Sequence, residues 1–139
     1  MDNLICNNLV VDENGTLIFG GHSTAELINK YASPMYVMDE ARIRYNMRLY
    51  VSAMRKYFGE GAMPLLASKA ASFKQIYRIA ADENMGTDVV SSGEIYTART
   101  AGFPMEKAYF HGNNKTDEDI SFAMDNNVGY FVADNIEEL

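Results

Sequence analysis

Lys69 is the residue whose type and surroundings best suit covalent chemistry. It follows the apolar run Pro64–Ser68 and stands among small uncharged residues, with no acidic neighbour. A lysine withdrawn from water loses part of its preference for the charged form, and its neutral amine is a nucleophile. Small neighbours leave room for a flat ring, which suits a lysine that forms a Schiff base with an aldehyde cofactor. Position alone favours the alternative, a lysine at a strand end that reaches into water.

Asp88 and Glu94 flank a second polar segment. Asp88 comes before the apolar pair Val89-Val90, and the run Ser91-Ser92-Gly93-Glu94 follows directly. A serine cap with an acidic residue in the first helical turn explains this run. The cap does not explain Asp88, because a buried carboxylate needs a partner. The amine of Lys69 is a candidate for that partner.

His111 follows a third apolar run, Ala108–Phe110, and leads into Gly112-Asn113-Asn114-Lys115. Its imidazole could hydrogen-bond a ligand or a catalytic group, although a lone histidine is more often structural. The two histidines and the single cysteine have no metal-ligand spacing, and no phosphate-binding glycine loop or nucleophile elbow is present. We therefore predict no metal site.

Composition and charge limit the classes of partner. The net charge of −7 disfavours nucleic acid, since phosphate binding requires a surplus of Lys and Arg. The N-terminal segment lacks the basic start and long apolar core of a signal peptide. No apolar run approaches the roughly 18 residues of a membrane helix. We expect a cytoplasmic enzyme or binding protein with no membrane partner.

The first 30 residues predict a β-hairpin and a short helix. The expected strands are residues 8–11 and 16–19. Asn14-Gly15 between them favours a tight turn, and Gly20-Gly21 ends the hairpin. A helix to about Lys30 follows, with a cap at Ser23 or Thr24.

A predicted strand, Met35–Met38, comes before a long helix from Glu40 to about Phe58. Asp39 is expected to cap this helix and Gly59 to end it. Apolar residues recur along it at steps of three and four, which predicts a buried face. That stripe consists of Ile43, Met47, Tyr50, Met54 and Tyr57.

From residue 64 onward, short apolar strands alternate with helices. The predicted strands are 64–68, 88–90, 108–110 and 130–132, and the predicted helices are 72–84, 92–101, 116–125 and one from 135. This order indicates βα units and a parallel sheet, whose functional groups lie at the carboxyl ends of the strands. A doubly wound sheet and a (β/α)₈ barrel both fit. Length alone favours the open sheet, because a barrel takes about 250 residues.

Five segments resemble, in order and spacing, signatures of the diaminopimelate decarboxylase family. They are Tyr31–Asp39, Ala67–Ala70, Asp88–Ile95, Ala101–Pro104 and Phe110–Lys115. Each segment alone has low specificity. All five in register, over about residues 4–139, make the resemblance strong and reverse the preference for an open sheet.

The resemblance implies a pyridoxal-phosphate enzyme with an alanine-racemase-like (β/α)₈ barrel followed by a β-rich domain. Lys69 matches the Schiff-base lysine and is our candidate catalytic residue. Lys69, Asp88 and His111 are the candidate cofactor-binding residues. The implied reaction removes CO₂ from the D-centre of meso-diaminopimelate and gives L-lysine, the last step of lysine biosynthesis.

The resemblance also implies that the chain is an N-terminal portion, because family members are much longer. Residues 1–30 would belong with the β-rich domain, and residues 31–139 would form about the first four βα units of the barrel. Groups that hold the phosphate, the pyridine nitrogen and the substrate are expected downstream. We therefore expect this portion to be inactive alone and the full-length enzyme to be a homodimer. Ala71 departs from the family, which often has Asn or Phe there.

Three alternatives remain open from the sequence. One is a related decarboxylase that acts on ornithine, arginine or carboxynorspermidine. Another is a non-catalytic module that binds pyridoxal phosphate. The third is a small open-sheet regulatory domain that needs no cofactor.

Overall fold

Residues 7–139 are described by the computed structural model, and residues 1–6, which include Cys6, lie outside the described part. The chain separates into two units, Met1–Ile43 and Arg44–Leu139. The predicted assignment of residues 1–30 and 31–139 to different domains of a larger protein stays a prediction.

The first unit contains an antiparallel sheet of three short strands and a helix. The elements are β1 (Leu9–Val11), β2 (Leu17–Phe19), β3 (His22–Ser23) and α1 (Thr24–Tyr31). The predicted hairpin is confirmed, and Asp12 Oδ1 closes its turn by accepting from the N–H groups of Asn14 and Thr16 at 2.9 and 2.8 Å. Ser23 caps α1. The predicted stop at Gly20-Gly21 is instead a tight turn into β3, made with φ of 56° and 83°.

The predicted strand Met35–Met38 is wrong. Within the described chain these residues belong to no strand, and Tyr36 is fully exposed at 101%. A strand requires a neighbouring backbone to complete its ladder of hydrogen bonds, and an apolar sequence alone does not supply one.

The predicted long helix is confirmed as α2 (Glu40–Phe58). Asp39 Oδ1 caps it by accepting from the Arg42 N–H at 3.1 Å. The predicted stripe is partly wrong. Met47 and Val51 are buried, whereas Tyr50 and Tyr57 are 64% and 72% exposed, because a step of four from Met47 leads to Val51. Among the helices of residues 7–139, none is long and apolar enough to span a membrane.

The second unit is a four-stranded parallel sheet with helices between its strands, as predicted. The strands are β4 (Leu65–Ala67), β5 (Gly86–Val89), β6 (Ala108–Phe110) and β7 (Tyr130–Phe131), in that order. The helices are α3 (Lys74–Asp82), α4 (Ser92–Ala101) and α5 (Asp117–Asp125). The last predicted helix is a 3₁₀ turn, Ile136–Glu138. The described residues form an open sheet, consistent with part of a barrel.

The two faces of the parallel sheet differ in burial. Thr87, Val89, Ala108 and Phe110 share one face, and each is at most 1% exposed. Successive residues of a strand point to opposite faces, so this face packs under the helices while the other stays open. Ile76, Tyr77, Ile79, Ile95 and Ala98 supply the buried side chains of α3 and α4.

A network of ion pairs links α2 with the end of α3. Glu83 accepts from Arg48 Nε at 2.6 Å and from Arg44 Nη1 at 3.0 Å. The Arg48 guanidinium, helped by that of Arg44, holds the pKa of Glu83 below its usual range, against the opposing effect of burial. The nearly buried carboxylate is thus charged and partnered, as a buried charge must be.

Lys115 joins the loops that follow β6 and β7. Its ammonium donates to the carbonyl of Gly112, to the carbonyl of Val132 at 3.0 Å and to Glu138 Oε2 at 2.8 Å. The two paired side chains are only 3% and 9% exposed. Three acceptors satisfy the three donors of an ammonium group, so Lys115 fixes the loop that begins at His111.

Gly129 lies against the backbone of the segment before β6. A Cβ at this position would be 2.6 Å from the carbonyl carbon of Glu106 and closer still to its oxygen. The Gly129 N–H also donates to the Met105 carbonyl at 3.0 Å. Only glycine therefore allows β7 to start this close to its neighbour.

Gly129→Ala should destabilise the protein by about 2 to 3 kcal/mol, because the added methyl group must displace backbone. Urea denaturation followed by circular dichroism measures this loss. Gly61→Ala is the matched control, since nothing lies within 4 Å of a Cβ at Gly61. Equal midpoints for the two variants would contradict the close approach.

Lys115→Met should lower the urea midpoint, because Glu138 and two carbonyl groups lose their donor. The double variant K115M/E138L should recover part of the loss, since no unpaired carboxylate remains.

Lys115 holds the pKa of Glu138 below its usual range. The contribution of the pair is therefore present at neutral pH and disappears as the pH falls through that lowered pKa. The midpoint difference between wild type and K115M should shrink as the pH falls through that lowered pKa, below the ordinary range of a glutamate; a constant difference would contradict the pairing.

Candidate functional site

Lys69 lies in a three-residue 3₁₀ turn, Ser68–Ala70, that begins where β4 ends. This places it at the carboxyl edge of the parallel sheet, as predicted. Its side chain is exposed, and within residues 7–139 it makes no hydrogen bond or ion pair. The expected withdrawal of Lys69 from water is therefore not provided by the described residues, and its amine is accessible to a ligand.

Ser68, directly before Lys69, is fully buried and joins two strands to a helix. Its N–H donates to Asp88 Oδ1 at 3.2 Å, and its hydroxyl lies 2.7 Å from the carbonyl oxygen of Asp88. The same hydroxyl lies 3.0 Å from Glu94 Oε2. These contacts attach the turn that carries Lys69 to the end of β5 and the start of α4.

Glu94 does more than the predicted first-turn acid. Ser91 Oγ caps α4 by accepting from the Glu94 N–H at 3.3 Å, as expected for a serine cap. The Glu94 carboxylate turns back to accept from the Val90 N–H at 2.7 Å and faces Ser68. A single carboxylate oxygen thus satisfies one loop N–H and holds the serine hydroxyl.

Asp88 lies beside the Lys69 turn, but its partner is not the one considered from the sequence. The half-buried carboxylate accepts from the backbone N–H of Ser68. Across residues 7–139 no ion pair joins Asp88 to Lys69. The Lys69 amine is therefore not engaged in an ion pair with Asp88.

His111 lies at the same edge of the sheet, one strand further along. Its backbone N–H donates to the Val89 carbonyl at 2.9 Å and continues the β5–β6 ladder by one residue. Its side chain is exposed, and in the described part of the chain it contacts neither Lys69 nor Asp88 through a hydrogen bond or ion pair. The structure thus brings Lys69 and Asp88 together through Ser68 and leaves the His111 imidazole separate.

The open face carries a row of register partners just below the carboxyl edge. The row runs Ala67, Asp88, Tyr109 and Tyr130 across the four strands. The two tyrosine rings are stacked, with centroids 4.2 Å apart and planes 10° apart. Burial, with a smaller effect from Tyr130, raises the pKa of Tyr109. This row places a small residue and an acid next to the Lys69 turn, and the tyrosine pair two and three strands further along the sheet.

Asp119 connects the first turns of α4 and α5 at this edge by hydrogen bonds. It accepts from the hydroxyl groups of Ser92 and Thr116 and from the Thr116 N–H. The pKa of Asp119 lies below its usual range. The hydrogen bond from Ser92 is the main cause, and the hydrogen bonds from Thr116 add to it. The starts of α4 and α5 are therefore tied together beneath the loops.

Ser68 and the tyrosine pair were missed from the sequence. A serine inside an apolar strand was a signal, because a buried hydroxyl needs partners. Tyr109 and Tyr130 occupy the outward positions of their strands, and a register between the strands was required to bring them together. In the described chain, no group of three or more His, Cys, Asp or Glu side chains is placed to hold a metal ion.

Comparison with known proteins places this geometry in a family. The family model described as "Pyridoxal-dependent decarboxylase, pyridoxal binding domain" matches residues 41–139. Diaminopimelate decarboxylase of Bacillus methanolicus is 43% identical over 129 residues, which cover 93% of this chain and 30% of that protein. The enzyme of the same name from Staphylococcus aureus is 42% identical over 128 residues, 92% of this chain and 30% of that protein.

A solved structure agrees with the sequence comparison. The crystal structure of diaminopimelate decarboxylase from M. jannaschii in co-complex with L-lysine superposes with a TM-score of 0.82 at 32% identity. The matched region covers 95% of this chain and 31% of the M. jannaschii chain. This chain thus spans about a third of the length of the proteins it matches. With an exposed lysine at the carboxyl edge of a parallel βα sheet and a family match from residue 41 onward, the chain belongs to the pyridoxal-binding domain family of the pyridoxal-dependent decarboxylases.

Proposed function

We propose that this chain is the cofactor-attachment part of an enzyme that decarboxylates meso-diaminopimelate to L-lysine and CO₂. The accessible amine of Lys69 at the carboxyl edge of the sheet is the observation that carries the proposal. The name shared by the relatives and the L-lysine complex of the M. jannaschii protein support the choice of substrate. Because the chain spans 30% of the first relative's length, the activity is proposed for the whole protein.

The residues present fit the aldehyde end of pyridoxal phosphate. Lys69 supplies a primary amine that the described residues leave unpaired, and the neighbouring open-face residue of β4 is the small Ala67. When bound, pyridoxal phosphate supplies an electron sink for the carbon that loses its carboxyl group. We assign binding of the phosphate, the pyridine nitrogen and the substrate to the part of the relatives' length that this chain does not match.

Each candidate residue then has a distinct task. Lys69 would hold the cofactor through Nζ, and the same atom could carry a proton in the reaction. Asp88 fixes the turn that carries Lys69 through the Ser68 N–H. His111 offers an exposed imidazole at the same edge, where it can hydrogen-bond the cofactor.

The proposal includes the setting of the complete protein. Residues 1–30 contribute to a β-rich second domain, and residues 31–139 contribute the first βα units of a barrel. The enzyme works in the cytoplasm as a homodimer without nucleic acid or membrane. The family resemblance and the net charge of −7 support these assignments.

Lys69→Ala should abolish covalent attachment of pyridoxal phosphate, because the nucleophilic amine is removed. Titration with pyridoxal phosphate, followed by the visible absorbance band of the lysine-linked cofactor, measures attachment. Lys74→Ala is the matched control, since Lys74 is an exposed lysine at the start of α3. A band that persists at full strength in Lys69→Ala would contradict the assignment.

Joining residues 1–139 to the unmatched remainder of the B. methanolicus relative should give a chain that releases CO₂ from meso-diaminopimelate. The 139 residues alone should release none, since most of a barrel's site-forming loops are then lacking. A folded chimera that releases no CO₂ would contradict the proposed cofactor-attachment role of residues 1–139, and an unlinked chain that is active would contradict the division of roles.

A further inference from the structure

We propose that the Ser68 hydroxyl is a positioning group that sets the reactivity of the Lys69 amine toward an aldehyde. It acts through its contacts with the carbonyl of Asp88 and the carboxylate of Glu94. The inference rests on the proposed role of Lys69 in cofactor attachment. It adds a serine and a glutamate to a site of which only Lys69, Asp88 and His111 were candidates.

Burial makes the Ser68 contacts obligatory. Ser68 is 0% exposed, so water cannot replace a lost partner of its hydroxyl. The hydroxyl has one proton and two acceptors, at 2.7 Å on Asp88 and 3.0 Å on Glu94. It shares that proton between a strand and a helix and so keeps both at fixed distances from the turn.

Glu94 gives this contact a rigid anchor. The residue lies in the first turn of α4, and its N–H is bound by the Ser91 cap. Its carboxylate is also bound by the Val90 N–H at 2.7 Å. A carboxylate held at both its backbone and its side chain has little freedom, so the position of Ser68 follows that of α4.

Apart from the Ser68 hydroxyl, the turn that carries Lys69 is attached to β5 by the Ser68 N–H, which donates to Asp88 Oδ1 at 3.2 Å. It is three residues long and is closed by one backbone bond, from the Ala71 N–H to the Ser68 carbonyl at 3.0 Å. Lys69 and Ala70 are exposed and add no buried packing. Without the Ser68 hydroxyl, the turn would sample more conformations, and the amine would spend less time where it can attack an aldehyde held over the open face.

The reaction used as the test is condensation with pyridoxal phosphate. Lys69 Nζ attacks the aldehyde carbon, a carbon–nitrogen double bond forms, and the carbonyl oxygen leaves as water. Added borohydride then transfers hydride to that carbon and, with a proton from water, leaves a stable secondary amine. Peptide mass mapping gives the rate of modification at each lysine separately, and the exposed Lys74 serves as an internal reference.

Ser68→Ala should slow modification of Lys69 about tenfold relative to Lys74, the effect expected when a buried hydrogen bond is lost and its partner is left unsatisfied. Glu94→Ala should have a similar effect, whereas Glu94→Gln should stay near wild type because its amide oxygen still accepts from Ser68 and Val90. A purely structural role would affect both lysines alike. Ser121→Ala, at an exposed serine of α5, is the control for loss of a hydroxyl.

The outcomes separate the two proposals. Wild-type protein in which Lys69 reacts no faster than Lys74 would overturn the proposed attachment role, and with it the positioning role. A faster Lys69 in wild type that is unchanged in folded Ser68→Ala and Glu94→Ala would overturn the positioning role alone. Circular dichroism establishes folding, and if Ser68→Ala does not fold, the contrast between Glu94→Ala and Glu94→Gln decides.

Discussion

The parallel ladder of β4 to β7 is the constraint on which the rest of the second unit depends. Its register aligns Ala67, Asp88, Tyr109 and Tyr130 across four strands. Parallel pairing brings all the carboxyl ends to one edge, where Lys69 follows β4. A slip of one residue would turn Asp88 toward the helices and bury it without its present partner, so the ladder fixes both the core and the chemistry.

The ladder also gives the two faces of the sheet different roles, because one face is buried and the other is open. The covered face packs fully buried residues such as Val89 and Phe110 against helices, and this apolar burial stabilises the unit. The open face carries an acid and two tyrosines, below the edge where the Lys69 amine is exposed. Polar contacts at the carboxyl edge connect these roles, because Ser68 is at once part of the core and the neighbour of Lys69.

Much of this fold could be predicted because its signals are local. The bounds of β6 and α4 are as predicted, since Ser91 caps α4 and Gly102, with a φ of 84°, ends it. Two kinds of feature could not be predicted. The failed strand Met35–Met38 depended on a ladder partner, and the contact from Ser68 to Glu94 spans 26 residues. Lys69 was found because its neighbours in sequence are informative, but the groups that hold its turn are neighbours only in space.

The stacked pair Tyr109–Tyr130 gives the open face an optical signature. The chain contains nine tyrosines and no tryptophan, so its near-ultraviolet spectrum arises from phenol and phenyl rings alone. Two phenol rings held 4.2 Å apart couple their transitions, while tyrosines that rotate freely in water contribute little circular dichroism. The stacked pair, together with the buried Tyr77, therefore contributes a near-ultraviolet signal of the unmodified protein, without a dye or an introduced fluorophore.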